Sequence, residues 1–229
     1  MRCIFVLDIF NGAVVHALQG ERSRYEAIEK YSKIVSTSDP LGVLREIHPK
    51  EVYLADLNRL TGSGENLAII EEISSRAKTM ADIGILKASD LRYLPCIVTP
   101  ILGTETASFD LMAKAALQRK IVVSIDMKRR EILIRDPDLS AQAPLQFLRR
   151  LNGLPLQAVI LLELDRVGTS AGLDRKFLES AAAVSEHPLI LGGGVKGVED
   201  LHALEDLGFS GALVATAVHN GKIPVEMVR

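Results

Sequence analysis

Eight short apolar runs recur along this chain, and helical spacing follows most of them. They lie at residues 3–8, 51–57, 79–85, 96–102, 120–126, 157–164, 188–194 and 212–217. Almost every position in each run is apolar, which is the pattern of parallel strands buried on both faces, not of half-exposed hairpins. Between them, helical patterns are expected at 39–47, 66–76, 107–119, 144–151, 173–184 and 198–207, with a shorter one opening at Ser89 and Asp90. Asp39 before Pro40 reads as an N-cap with proline at the first helical position, and Asn66 as a second cap. Eight strand-to-helix units in 229 residues imply one α/β domain over 1–229, a (β/α)8 TIM barrel.

The two halves of the chain resemble each other. DLNR at 56–59 matches ELDR at 163–166, and ADIGILKASDL at 81–91 matches LGGGVKGVEDL at 191–201. LGTETA at 102–107 matches VATAVH at 214–219, and Leu7-Asp8 matches Ile125-Asp126. Four matches in the same order point to an internal half-barrel duplication, with halves of about 1–117 and 118–229. Chemistry on a barrel of this kind sits at the C-terminal ends of the strands. Asp8 and Asp126, each ending a strand, are then the candidate catalytic pair, because two carboxyls in different surroundings can divide acid and base roles.

The run 188–194 breaks into Gly192, Gly193 and Gly194 before a helix opens. Glycines there let a backbone approach a ligand with its N–H groups free, which suits a phosphate. Gly193 and Gly194 with Ala215 and Thr216 form the candidate phosphate site of the second half. In the first half the same stretch reads Asp82-Ile83-Gly84, and Gly84, Gly103 and Thr104 remain as its candidate counterpart. A carboxylate at Asp82 repels a phosphate dianion, so the first-half site is expected to be weakened or converted to another use. His16 reads as a structural histidine and Lys128 as a solvated lysine.

A net charge of −2 offers no basic field for nucleic acid or an anionic membrane. Tryptophan is absent and aromatics are 4%, which argues against base stacking. The five histidines and two cysteines show no metal-ligand spacing, so no metal or cofactor is expected, and Cys3 and Cys96 read as reduced core thiols. Met1 leads straight into CIFVLDIF, and no apolar run reaches the roughly 18 residues of a membrane span. A cytoplasmic protein binding a small phosphorylated metabolite is expected.

The segments LDIFNGAVVHALQG (7–20), DLNRLTGSGEN (56–66), ILGT (101–104), SIDM (124–127), ELDRVGTSAG (163–172) and GGGVKGVEDLHALEDLGFSGALVATAVHNGK (192–222) together resemble the barrel enzymes of histidine biosynthesis. That family contains a ribotide isomerase and the cyclase subunit of imidazole glycerol phosphate synthase. The resemblance implies two phosphate sites, a ribotide across the barrel mouth, and an Amadori-type aldose–ketose isomerisation without a cofactor. It assigns Asp8 as general base with Asp126 opposite, Gly194 and Thr216 to one phosphate site, and Gly103 and Thr104 to the other. A glutaminase partner, which the cyclase branch needs, is not expected.

The chain also departs from that pattern. Leu162 stands where the family has threonine, and Val167 where it has the second acid/base aspartate. Leu86 and His16 stand at positions expected to be basic, and Arg135-Asp136-Pro137 replaces an aromatic-bearing loop. Glu163 and Asp165 are possible stand-ins for the lost acid, although strand alternation turns at most one face inward. These departures imply a divergent branch. Its substrate is then either the family's ribotide or another phosphorylated metabolite, as in relatives associated with methanopterin- or methanofuran-type cofactors. A non-catalytic barrel that binds a phosphometabolite is the remaining alternative.

Overall fold

The computed structural model describes residues 1–136 and 142–229; Pro137, singled out above, lies outside them. Eight parallel strands close into a barrel: β1 (Arg2–Phe10), β2 (Glu51–Asp56), β3 (Lys78–Asp82), β4 (Thr99–Gly103), β5 (Val122–Lys128), β6 (Ala158–Glu163), β7 (Leu189–Gly192) and β8 (Gly211–Val214). Neighbours in sequence are neighbours in the sheet, and β8 pairs with β1 to complete the ring. The helices are α1 (Pro40–Ile47), α2 (Leu57–Thr61), α3 (Leu67–Ser74), α4 (Phe109–Gln118), α5 (Pro144–Leu151), α6 (Arg175–Val184), α7 (Val198–Asp206) and the single turn α8 (Thr216–His219). A 3-10 segment, Ala88–Tyr93, replaces a helix between β3 and β4. Short strands at Ala13–His16 and Glu131–Ile132 fold back antiparallel on the ends of β1 and β5.

Strand alternation sorts the side chains into two cores. Ile4, Tyr53, Met80, Ile101, Val122, Ile160, Ile190 and Leu213 fill the barrel interior. Phe5, Leu7, Ile9, Val123, Ile125, Val159 and Leu161 face the helices. Because the pleat has a period of two, Asp8 shares the inward face of Ile4 and Val6, and Asp126 that of Val122 and Ser124. Both carboxyls therefore arrive near the mouth on the inward face, one rung below Phe10 on β1 and Lys128 on β5.

Local chemistry sets the helix ends. Asp39 caps α1 by accepting from the Gly42 N–H at 2.7 Å, with Pro40 in the first turn. Asn66, expected to cap α3, makes no side-chain cap bond there and is used elsewhere. The repeat-related Asp90 and Asp200 accept from the backbone in the same way, from Leu86 N–H at 3.0 Å and Lys196 N–H at 2.9 Å. The apolar run at 96–102 is displaced: β4 begins only at Thr99, and Cys96 and Ile97 lie exposed instead of in the core.

The segment 56–66 proves to be a polar clasp. Asp56, fully buried, accepts from Asn66 N–H and Asn66 Nδ2, both at 2.7 Å, and from Arg59 N–H at 3.2 Å. Asn58 and Asn66 then hold the turn after β1 through Asn11 and Gly12 N–H. An Asp56→Ala variant leaves three donors without their acceptor, two of them buried and the Arg59 N–H partly so, at about 1–3 kcal/mol for each buried one. The expected loss is at least about 3 kcal/mol in urea unfolding, with Glu65→Ala, on the exposed side of the same loop, close to wild type.

Candidate active site

The C-terminal ends of the strands surround a cavity of about 230 Å³. One end is bordered by Gly193, Gly194, Ala215, Thr216 and His16, the other by Asp82, Glu105 and Asp126, with Asp8 and Tyr53 also in the wall. Leu57 and Leu60 after β2, and Leu162, Leu164 and Val167 at the end of β6, make the two sides between those ends apolar. Among the described residues, no three of His, Cys, Asp or Glu are arranged to hold a metal ion, and no helix is long and apolar enough to cross a membrane.

Asp8 opens onto the cavity but is otherwise enclosed by protein, and no hydrogen bond to its side chain is present among the described residues. Desolvation pushes its carboxyl up to about 7. Asp126 is also raised to about 7, first by burial and then by the charge of Asp82. Opposing that rise, Asp126 accepts from the Ser124 hydroxyl at 2.6 Å and from the Glu105 N–H at 3.1 Å. Asp8 is thus unpartnered in the cavity wall, whereas Asp126 is clamped in one orientation.

At the glycine end, Gly193 and Gly194 adopt φ of +90° and +88°. A side chain at Gly193 would meet the Glu163 carbonyl oxygen at 2.5 Å, so the backbone there is packed directly on β6. Among the described residues, nothing accepts a hydrogen bond from the N–H of Gly194 or Thr216. His16 Nε2 lies 3.3 Å from Thr216 Oγ1, and its ring stacks on Tyr31 at 3.8 Å. Burial lowers its basicity, with Glu26 opposing. Behind it, burial and the nearby His16 lower His219 to about 4, and its Nδ1 lies 2.9 Å from the Ser32 hydroxyl.

The first-half counterpart is built differently. Gly103 and Thr104 do not line the cavity. Thr104 is buried, with its hydroxyl accepting from Asp126 N–H at 3.0 Å and its own N–H donating to Ser124 O at 2.9 Å. A Cβ at Gly103 would lie 2.6 Å from Asp126 Oδ2 and 3.4 Å from Asp82 Oδ2, so this glycine leaves room for two carboxyls to converge. Gly84 N–H donates to Asp82 Oδ1 at 2.9 Å.

Neither acidic stand-in at the end of the sixth strand is in the cavity lining. Glu163 is buried on the helix-facing side, paired with Arg130 Nη1 at 2.7 Å and Arg166 Nε at 3.0 Å. Asp165 accepts from Arg129 N–H at 3.2 Å. Leu162 and Val167 border the cavity themselves. Tyr53 and Glu105, absent from the sequence-derived site, also border it. Glu105 lies in the turn after β4, where no alternation fixes its direction, whereas Tyr53, a lone aromatic in an apolar strand, was a visible signal.

The family model described as "Histidine biosynthesis protein" matches residues 2–224. An uncharacterized protein of Methanocaldococcus jannaschii is 32% identical, over all of this chain and 97% of its own length. A Thermus thermophilus protein named 1-(5-phosphoribosyl)-5-((5-phosphoribosylamino)methylideneamino)imidazole-4-carboxamide isomerase is 25% identical, over 97% of this chain and 96% of its own. A Methanosphaera stadtmanae protein of the same name is 25% identical, over 99% and 97%.

Proposed function

The chain belongs to the histidine biosynthesis protein family, and from that premise we propose that it is an aldose–ketose isomerase of the Amadori type acting on a phosphorylated ribotide or sugar phosphate. The observation that carries this reading is the pair Asp8 and Asp126, two inward strand-end carboxyls of one cavity, both shifted to about 7. Opening an aminoaldose ring needs a proton delivered to the ring oxygen, and forming the ketose needs a proton removed from the neighbouring carbon. Carboxyls that titrate near neutrality serve both steps, one ionised and one protonated. Asp8, without a hydrogen-bond partner, takes the base role. Asp126, held by Ser124 and Glu105, supplies the proton. The backbone N–H groups of Gly193 and Gly194, with Thr216, anchor the ligand's phosphate.

Leu162 and Val167 in the cavity wall favour a second form of this reading, in which the isomerase has a phosphorylated substrate other than the ribotide of its named relatives. Complementation of a histidine auxotroph that lacks the isomerase separates the two forms. Growth restored by the chain, and lost with Asp8→Asn, is the outcome expected if the ribotide is the substrate. No growth at good expression rules out that substrate and leaves the second form standing.

A further inference from the structure

Two features of the first-half end of the cavity call for a ligand group of their own. The first is Tyr53, only 5% exposed and facing the cavity, whose hydroxyl has no hydrogen-bond partner among the described residues. The hydroxyl opens onto the cavity, where a ligand atom can meet it. The second is the replacement of a glycine cradle by carboxyls. Asp82 occupies the Gly84 N–H, Asp126 occupies the Glu105 N–H, and both carboxyls crowd the space left by Gly103. The donors a phosphate would use are taken, and anionic oxygens stand in their place.

We propose that this end, formed by Asp82, Glu105 and Asp126 around Tyr53, receives a cationic amine, so that the ligand is an amino-sugar monophosphate and not a bisphosphate. The inference rests on the reading that Gly193, Gly194 and Thr216 anchor a single phosphate. Tyr53 accepts from the amine through its hydroxyl oxygen, and Asp82 and Glu105 supply charge-assisted acceptors, with Asp126 beside them kept for its proton. Asp82 and Glu105 already have interactions of their own, so the amine joins an existing network. The absence of a metal-holding arrangement among the described residues fits an organic cation. His16 borders the phosphate end, beside Thr216, and Lys128 lies exposed at the rim.

Calorimetric titration of the full chain with glucose, glucosamine, glucose 6-phosphate, glucosamine 6-phosphate and fructose 1,6-bisphosphate tests the proposal, at a pH where the sugar amine is protonated. The amine is expected to tighten binding about tenfold or more in both the phosphorylated and the unphosphorylated pair. Asp82→Asn, which keeps an oxygen for the Gly84 N–H, and Glu105→Gln, at an exposed position, should each remove most of that preference. Fructose 1,6-bisphosphate binding more tightly than glucosamine 6-phosphate overturns the proposal, as does an amine preference that neither variant reduces. The ratio of glucose 6-phosphate to glucose reads the glycine end separately. A phosphate preference without an amine preference overturns the proposal and upholds the anchor. An amine preference without a phosphate preference does the reverse, and no binding by any of the five sugars counts against both.

Discussion

An Asp8→Asn enzyme is expected to lose about 10²–10⁴-fold in kcat/KM and at the same time to become more stable than wild type above neutral pH. Both effects come from the same burial. A base titrating at about 7 gives an acidic limb, along which kcat/KM rises with pH through that value. With the role proposed for it, Asp126 should give a falling limb in the same region, which Asp126→Asn should remove. The stability effect follows from linkage. The folded pKa of Asp8 is raised above the ordinary 3.8, so the folded state binds its proton more tightly than the unfolded chain does. The favourable contribution is complete below 3.8 and is lost as the pH climbs through about 7. At pH 8 the wild type carries a desolvated carboxylate that costs about 2–4 kcal/mol. Asparagine does not ionise, so the variant's advantage should grow between these limits and then level off. Urea midpoints measured across that range check it; parallel curves for the two proteins would show that Asp8 is solvated in the folded state.

This trade places the departures from sequence-based expectation in physical terms. The barrel was legible because its strands are buried on both faces and leave unbroken apolar runs. The displaced start of β4 shows the limit of that signal: Cys96-Ile97-Val98 is as apolar as any strand, yet all three precede β4 and the first two are exposed. Asp8 and Asp126 could be found because each ends such a run and the repeat pairs them. Tyr53 left a signal, a lone aromatic on an apolar strand, but Glu105 left none, since it lies in the turn after β4 where no alternation fixes its direction. Gly103 shows the same difficulty from the other side. A glycine after a strand reads as room for a ligand's phosphate, whereas the folded chain puts the carboxyls of Asp126 and Asp82 beside it. His16 read as structural from its apolar surroundings, and its stacking on Tyr31 agrees, but its other contact is Thr216 in the cavity wall.

Gly193→Ala is expected to cost about 3 kcal/mol of stability and to abolish measurable phosphate binding together. The residue has φ of +90°, outside the region a side chain tolerates, and the new Cβ would lie 2.5 Å from the Glu163 carbonyl oxygen and 3.3 Å from its carbon. That backbone cannot yield cheaply, because β6 pairs with β5 from Ala158 to Glu163 and with β7 from Val159 to Leu162. Gly62→Ala separates the two costs: its φ is +70° and nothing lies within 4 Å of the added carbon, so it should lose only about 1 kcal/mol. The difference between the variants, read from urea midpoints, is then the price of the contact with β6. If Gly193→Ala instead matches Gly62→Ala while phosphate binding is lost, the glycine serves the ligand alone. Equal loss of stability with phosphate binding intact would place the anchor elsewhere and leave Gly193 as a packing residue. The expected result, both losses at once, ties the tight seating of this turn on the sixth strand to its ability to present bare N–H groups to the cavity.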